Sequence, residues 1–249
     1  MVTALILGGH GRVSQCLTRQ LVRRGDTVHS LIRNPTQFDA IKALGAQPVV
    51  QSIEDSSVSE IAQTILECSP DVVIWSAGAG GGSPERTNTV DHLGAVKAFD
   101  AVVESKTRRF IIVSAIDVRD RESKPAPEWY NDDDHAMSGR VWSSIGAYMK
   151  AKLAADRDLV TNNDRRKLQY TIVRPGGLNN DPAAGTVAAG KVHISKTISR
   201  EDVAAFIVAA IDEPKSIGMA IDIVGGETEI KQALQTVIDD KIDTFNGYY

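Results

Sequence analysis

Thr3-Ala4-Leu5-Ile6-Leu7-Gly8-Gly9-His10-Gly11-Arg12-Val13-Ser14 is the stretch on which the fold turns. Its first five residues are mostly apolar and read as a short buried strand. Three glycines follow, and then Val13, Leu17 and Leu21 repeat every four residues, which lines them along one helix face. Strand, glycine turn and helix in this order form a phosphate-binding unit. Gly8 permits the tight turn, and Gly11 lets the backbone approach a pyrophosphate at the helix N-terminus, where N–H groups lack intrahelical acceptors. Ser14 stands at the third glycine position and is small enough for close helix–strand packing. His10 either touches the ligand or only fills the loop. Arg12 and Val13 complete the set of candidate contacts in the turn.

Working outward, short branched runs alternate with amphipathic stretches. Strands are expected at Thr3–Leu7, Thr27–Ile32, Gln47–Val50, Asp71–Trp75, Arg109–Val113, Gln169–Val173 and Ala220–Val224. Val203, Ile207 and Ile211 again repeat at helical spacing. Helix starts are marked by Asn34-Pro35 and by the capping boxes Ser57…Glu60 and Ser199…Asp202. This alternation implies an α/β doubly wound parallel sheet, a Rossmann fold, with a small C-terminal substrate lobe. No internal repeat or linker divides the chain, so residues 1–249 are expected to form one domain. Substrate-side elements are expected in 119–144 and 178–200. The stretch Arg119–Ser144, with two prolines, the acidic run Asp132–Asp134 and three aromatics, reads as a long surface loop. Fraying is the expectation for the tail Phe245–Tyr249.

Composition excludes several classes. The 249 residues carry 28 basic and 32 acidic side chains, a net charge of −4, which is too balanced for a non-specific nucleic-acid binder. No apolar run reaches the roughly 20 residues that cross a bilayer, and Met1–Leu7 is too short and lacks the basic start of a signal peptide. Two distant cysteines, Cys16 and Cys68, suit a reducing compartment, so a cytoplasmic protein is expected. The five histidines show no metal spacing, and no metal is expected. Length and charge leave a monomer or a homodimer open.

The second strand ends in Arg33. Sites that prefer NAD place a carboxylate there to accept from the ribose 2′-hydroxyl, whereas a guanidinium binds a 2′-phosphate. Arg33 therefore argues for NADP (NADPH), with Arg12 as a second candidate for the same phosphate. After the fourth strand, Ser76-Ala77-Gly78-Ala79-Gly80-Gly81-Gly82 lets backbone lie close against a ligand, with Ala77 and Gly78 nearest. Tyr148 and Lys152 stand at i and i+4 on the helix after the fifth strand, so their side chains share one face. An ammonium beside a phenol stabilises the phenolate and draws its pKa down toward neutrality.

These motifs carry a resemblance. Gly8-x-x-Gly11, Arg33-Asn34-Pro35, Asp91-x-x-Gly94, Ser114, Tyr148-x-x-x-Lys152, Arg174-Pro175-Gly176-Gly177 and Ser199-Arg200-Glu201-Asp202-Val203-Ala204 together resemble the atypical short-chain dehydrogenase/reductases. Within them the chain is most similar to the NADP-binding subgroup near NmrA-like proteins and flavin/biliverdin-IX-beta reductases. The resemblance implies that Tyr148 transfers a proton, Lys152 holds the nicotinamide ribose, Ser114 polarises a carbonyl, and Asp91 takes the place of a relay asparagine. It also implies that Pro175 and Gly176 carry backbone to the nicotinamide end, and that Ser52 occupies the position of an adenine-binding aspartate. Three departures stand out: Asp91 for asparagine, Ala115-Ile116 where a second hydroxyl is usual, and Ser52 for aspartate.

The expected function is therefore an NADP-dependent oxidoreductase acting on a small carbonyl or similar acceptor. A non-catalytic NADP(H)-sensing protein and an NAD(P)-dependent epimerase or dehydratase are the alternatives. The partner in each case is a small molecule, with neither nucleic acid nor membrane.

Overall fold

The computed structural model describes residues 1–81 and 83–249, so Gly82 lies outside the described residues. Strands are β1 (Thr3–Leu7), β2 (Thr27–Ile32), β3 (Gln47–Val50), β4 (Val72–Trp75), β5 (Arg109–Val113), β6 (Gln169–Pro175), β7 (Gly177–Asn179), β8 (Thr186–Ala189), β9 (Thr197–Ser199), β10 (Met219–Gly225) and β11 (Thr228–Glu229). Helices are α1 (Arg12–Arg24), α2 (Phe38–Ala43), α3 (Val58–Cys68), α4 (Pro84–Thr87), α5 (Ala95–Glu104), α6 (Asp132–Thr161), α7 (Asn163–Arg166), α8 (Arg200–Asp212) and α9 (Ile230–Asp239). A π-helical turn, Asn88–Gly94, joins α4 to α5.

Alternation along β1 explains the layers. Ala4 and Ile6 enter one core with residues of α1, α8 and α9, while Leu5 and Leu7 enter the opposite core with α3, α5 and α6. The sheet order is β11-β8-β10-β6-β5-β4-β1-β2-β3. Pairings from β3 through β10 are parallel, and β8 and β11 add antiparallel edge strands. Strand order reverses at β1, whose neighbours are β2 and β4, so the crevice lies beyond the ends of β1 and β4. The doubly wound parallel sheet is thus the observed architecture.

All seven expected strands form, with β6 running on to Pro175 and β10 covering Met219–Gly225. The short strands β7, β8, β9 and β11 were not anticipated. β8 joins the main sheet, so part of 178–200 extends that sheet and does not belong to a separate lobe. The Ser57–Glu60 capping box is present. Ser199 caps α8, but the Asp202 carboxylate turns instead to the N–H groups of Ala184 and Gly185.

Two expectations are corrected. The run Asp132–Asp134 is the first turn of α6, not part of a loop, because Asn131 and Asp134 form a capping box and three carboxylates face the positive helix end. That helix kinks at Ile145, where φ is −129° and ψ 32°. The C-terminal tail does not fray at Phe245. Its ring is 1% exposed in the core, and Tyr248 O accepts from Asp120 N at 2.8 Å.

Candidate active site

The glycine turn is built by close approach. Gly8 has φ +87°, and a Cβ there would lie 2.5 Å from Ala77 Cα. A Cβ on Gly9 would lie equally near Ser30 Cβ. Ser14 Oγ donates to Gly8 O at 2.8 Å, which binds the helix back onto the turn. Beyond the turn opens a groove of about 330 Å³, bordered by Gly8, His10 and Gly11, by Arg33 and Gln37, by Gln51, Ile53 and Glu54, and by Ser76–Gly80 with Arg86 and Val90. Gly8, His10, Gly11, Arg33, Ala77 and Gly78 therefore meet in one place, as the sequence implied.

Other candidates lie elsewhere. Arg12 points to a separate polar cleft with Arg19, Asn180, Asp181 and Arg200, not to the groove beside Arg33. Val13 is buried in the core, leaving its backbone as what it can offer a cofactor. Ser52 does not border the groove; its hydroxyl accepts from Asp55 N and caps a turn, while its neighbours Gln51 and Ile53 face the groove. Glu54 and Arg86 carry no recognisable spacing and are brought together only by the fold. Arg33 Nη1 lies 2.6 Å and Arg86 Nη2 3.0 Å from Glu54 Oε1, and Arg86 also donates to Ala79 O. These guanidinium hydrogen bonds, Arg86's foremost, hold the Glu54 carboxyl below its usual range.

The second part of the site sits behind the Ser76–Gly80 segment that follows β4. The π-helical turn keeps Val90, Asp91 and Gly94 all facing inward. Asp91 is fully buried: Oδ2 accepts from Ala79 N at 2.9 Å, and Oδ1 lies 3.3 Å from Lys152 Nζ. A Cβ on Gly78 would meet Asp91 Oδ1 at 3.0 Å, so this backbone rests directly on the carboxylate. Lys152 Nζ also donates to Val113 O at 3.2 Å, and lies 5.6 Å from the Tyr148 ring centroid. Burial alone would drive the Lys152 ammonium toward neutrality, but Tyr148, Asp91 and Asp156 outweigh it and raise its pKa. The Tyr148 phenol is pushed up by burial and by Asp91 and Asp156, with Lys152 pulling it down. The net direction is the opposite of the one Lys152 alone implies, because burial disfavours the phenolate and the carboxylates of Asp91 and Asp156 add to it.

Ser114 and Asp156 complete the cluster. Ser114 Oγ donates to Asp156 Oδ2 at 2.5 Å, and both residues are buried. Asp156 escaped notice in the sequence, although it follows Tyr148 and Lys152 at the same four-residue interval and so shares their face of α6. Burial pushes its carboxyl up to about 6, against the pull of Ser114, Arg174 and Lys152.

Ser114 and Tyr148 open onto a second cavity of about 260 Å³. Met137, Val141, Ile145 and Met149 line it from α6 at intervals of four, with Ile116, Leu178 and Ile194 opposite and Pro175, Gly176 and Gly177 at its floor. Gly176 is required here, since a Cβ would come within 2.8 Å of Lys196 O. Arg174, just beyond the expected end of the sixth strand at Val173, lies inside β6. Its buried guanidinium pairs with Asp222 at 3.1 Å and donates to Val118 O at 2.9 Å, holding the segment after β5 in place. Among the described residues no cluster of His, Cys, Asp and Glu could hold a metal ion. Cys16 and Cys68 are free, and burial raises both thiols.

Residues 8–214 match the model of a family described as NAD(P)H-binding. The chain belongs to that family. It is 37% identical over 235 residues to UPF0659 protein C216.03 of Schizosaccharomyces pombe, covering 94% of each chain. It is 34% identical to a Bacillus subtilis protein named uncharacterized sugar epimerase YhfK, over 92% of this chain and 97% of that one. Among solved structures, the oxidoreductase ylbE of Lactococcus lactis is similar with a TM-score of 0.76 and 26% identity, covering 95% of this chain and 97% of that one. An NAD(P)-binding protein with oxidoreductase-like and epimerase-like neighbours is therefore in hand. No helix among the described residues is long and apolar enough to cross a membrane.

Proposed function

We propose that the protein is an NADP-dependent oxidoreductase of the atypical short-chain dehydrogenase/reductase type, which reduces a compact, largely apolar carbonyl compound or similar acceptor. One observation carries this reading: Tyr148, with Lys152 behind it, faces an apolar cavity beside a glycine-walled groove. The groove suits a dinucleotide, because Gly8 and Gly11 let the turn pack tightly against Ala77 and Ser14 and bring the α1 N-terminus, where an anion is favoured, to its edge. Arg33 and Arg86 share the single carboxylate of Glu54, so one positive charge is left over at that end, which favours a 2′-phosphate. When bound, the nicotinamide supplies a hydride.

The chain's own residues handle the proton and the fit. Tyr148 donates its phenolic proton to the substrate oxygen, and the Lys152 cation stabilises the phenolate left behind. Asp91 fixes Lys152 and the Ala79 backbone in one arrangement. The cavity walls exclude water and select apolar compounds. A cavity of about 150 Å³ holds benzene, so 260 Å³ suits a molecule of roughly two fused rings. A sugar fits poorly, since each buried hydroxyl without a partner costs about 1–3 kcal/mol. The lining thus speaks against an epimerase acting on sugars here.

The non-catalytic sensing reading is favoured by one feature, the commitment of the Ser114 proton to Asp156. Titration with NADPH and NADH, followed by a turnover screen on quinones and ketones, tests both. Tighter NADPH binding with turnover supports the oxidoreductase. Equal affinities would remove the role given to Arg33, and tight binding without turnover on any carbonyl would favour sensing.

A further inference from the structure

Ser114 closes β5 at the wall of the apolar cavity, and its hydroxyl donates to Asp156 Oδ2. A hydroxyl has one proton and two lone pairs, so a Ser114 that donates to Asp156 can only accept from whatever enters the cavity. A substrate carbonyl is itself an acceptor, and the two oxygens would repel. The carboxyl behind Ser114 is equally constrained. Asp156 is fully buried, and its Oδ1 has no partner. The charged and titratable groups that face it are Lys152 and Tyr148 on its own helix and Arg174 from β6, with Asp91 reaching the same lysine from the π-helical turn. Asp91 already occupies Lys152, and Asp222 already occupies Arg174. Neither cation is therefore free to neutralise Asp156 fully, and a buried carboxylate short of partners gains by taking up a proton.

We propose that Asp156 is a positioning residue that sets the polarity of Ser114, making it an acceptor when Asp156 is charged and a donor to the substrate carbonyl when Asp156 is protonated. One proton binds from solvent, and the hydrogen bond reverses. The acid O–H then donates to Ser114 Oγ, and the Ser114 proton turns to the cavity. A carboxyl pushed up to about 6 makes both states accessible near neutrality. The inference rests on the carbonyl-reducing reading for its consequence in turnover, but the reversal itself does not.

The test uses the full chain with NADPH bound, in two arms. Infrared difference spectra across pH 6 should show a protonated-carboxyl stretch that vanishes in Asp156→Asn and shifts in Ser114→Ala. A band from Asp222, pushed up by burial to a similar value, would remain in both variants. NADPH oxidation with 1,2-naphthoquinone as the probe should lose about tenfold in kcat/KM per pH unit above the Asp156 transition. Asp156→Asn, whose amide donates to Ser114 Oγ at any pH, should flatten that slope, and Ser114→Ala should be flat and low. A wild-type slope retained in Asp156→Asn, or the absence of any titrating band that Asp156→Asn removes and Ser114→Ala shifts, would overturn the proposal. If Asp156→Asn fails to fold, the shift in Ser114→Ala decides. A probe that is not turned over sinks the reductase reading, while the infrared arm still decides the reversal.

Discussion

Replacing Asp91 with alanine removes the one carboxylate that, among the described residues, lies within ion-pair distance of the buried Lys152 ammonium. At 3.3 Å the gross attraction is about 5 kcal/mol with an effective dielectric of about 20. Removing one member of a buried pair typically costs about 3–5 kcal/mol, because the other charge stays buried without its partner. Asp156 also faces Lys152 and offsets part of the loss, while the Ala79 N–H, left without its acceptor, adds to it. A net cost of about 3 kcal/mol is therefore expected, and in a chain of this size it lowers Tm by about 6–12 °C. Asp91→Asn keeps an acceptor for Ala79 and should lose less. The pH dependence has a definite sign. Lys152 is held above its ordinary value in the folded protein, so its contribution is complete below about pH 10 and fades as pH rises through the higher folded value. The gap between wild type and Asp91→Ala should narrow there. Thermal unfolding followed by circular dichroism at neutral and alkaline pH checks both points. A neutral-pH loss under about 1 kcal/mol, or a gap indifferent to alkali, would show that the pair is not held as described.

Three further outcomes are expected. Arg33→Ala should weaken NADPH binding about 10–100-fold and leave NADH nearly unchanged, as measured by fluorescence titration, since a charge-assisted contact contributes about 1.5–3 kcal/mol. Gly8→Val forces a branched side chain to φ +87° and into Ala77, so cofactor titration should show binding abolished even where circular dichroism shows a fold. Val141→Asp places a carboxylate in the apolar cavity. It should raise KM for the quinone probe at least tenfold while leaving the NADPH Kd within about twofold.

Much of this was legible from residue order. The continuous apolar run of β1 and the glycines after it determine the crevice, because a buried parallel strand followed by a tight turn has few alternatives. Tyr148 and Lys152 were visible through helical spacing. Asp156 continues the same spacing but resembles any helical carboxylate until β5 places Ser114 against it. Glu54 and Arg86 come from separate connections, and only the sheet order brings them to Arg33. The acidic run Asp132–Asp134 reads as loop from its sequence because surface loops and helix N-termini favour the same residues, and Asn131 is the distinguishing signal. Burial of Phe245 depends on a partner surface that has no local mark in the sequence, so the tail reads as frayed.

On the proposed mechanism Tyr148 supplies a proton to a carbonyl in the apolar cavity while NADPH is oxidised. NADPH oxidation with 1,2-naphthoquinone in wild type and Tyr148→Phe, with the NADPH Kd of each measured alongside, tests that step. The expected result is turnover by wild type and a loss of at least about a hundredfold in kcat for the variant, with Kd unchanged. Equal turnover by the two proteins would contradict the account.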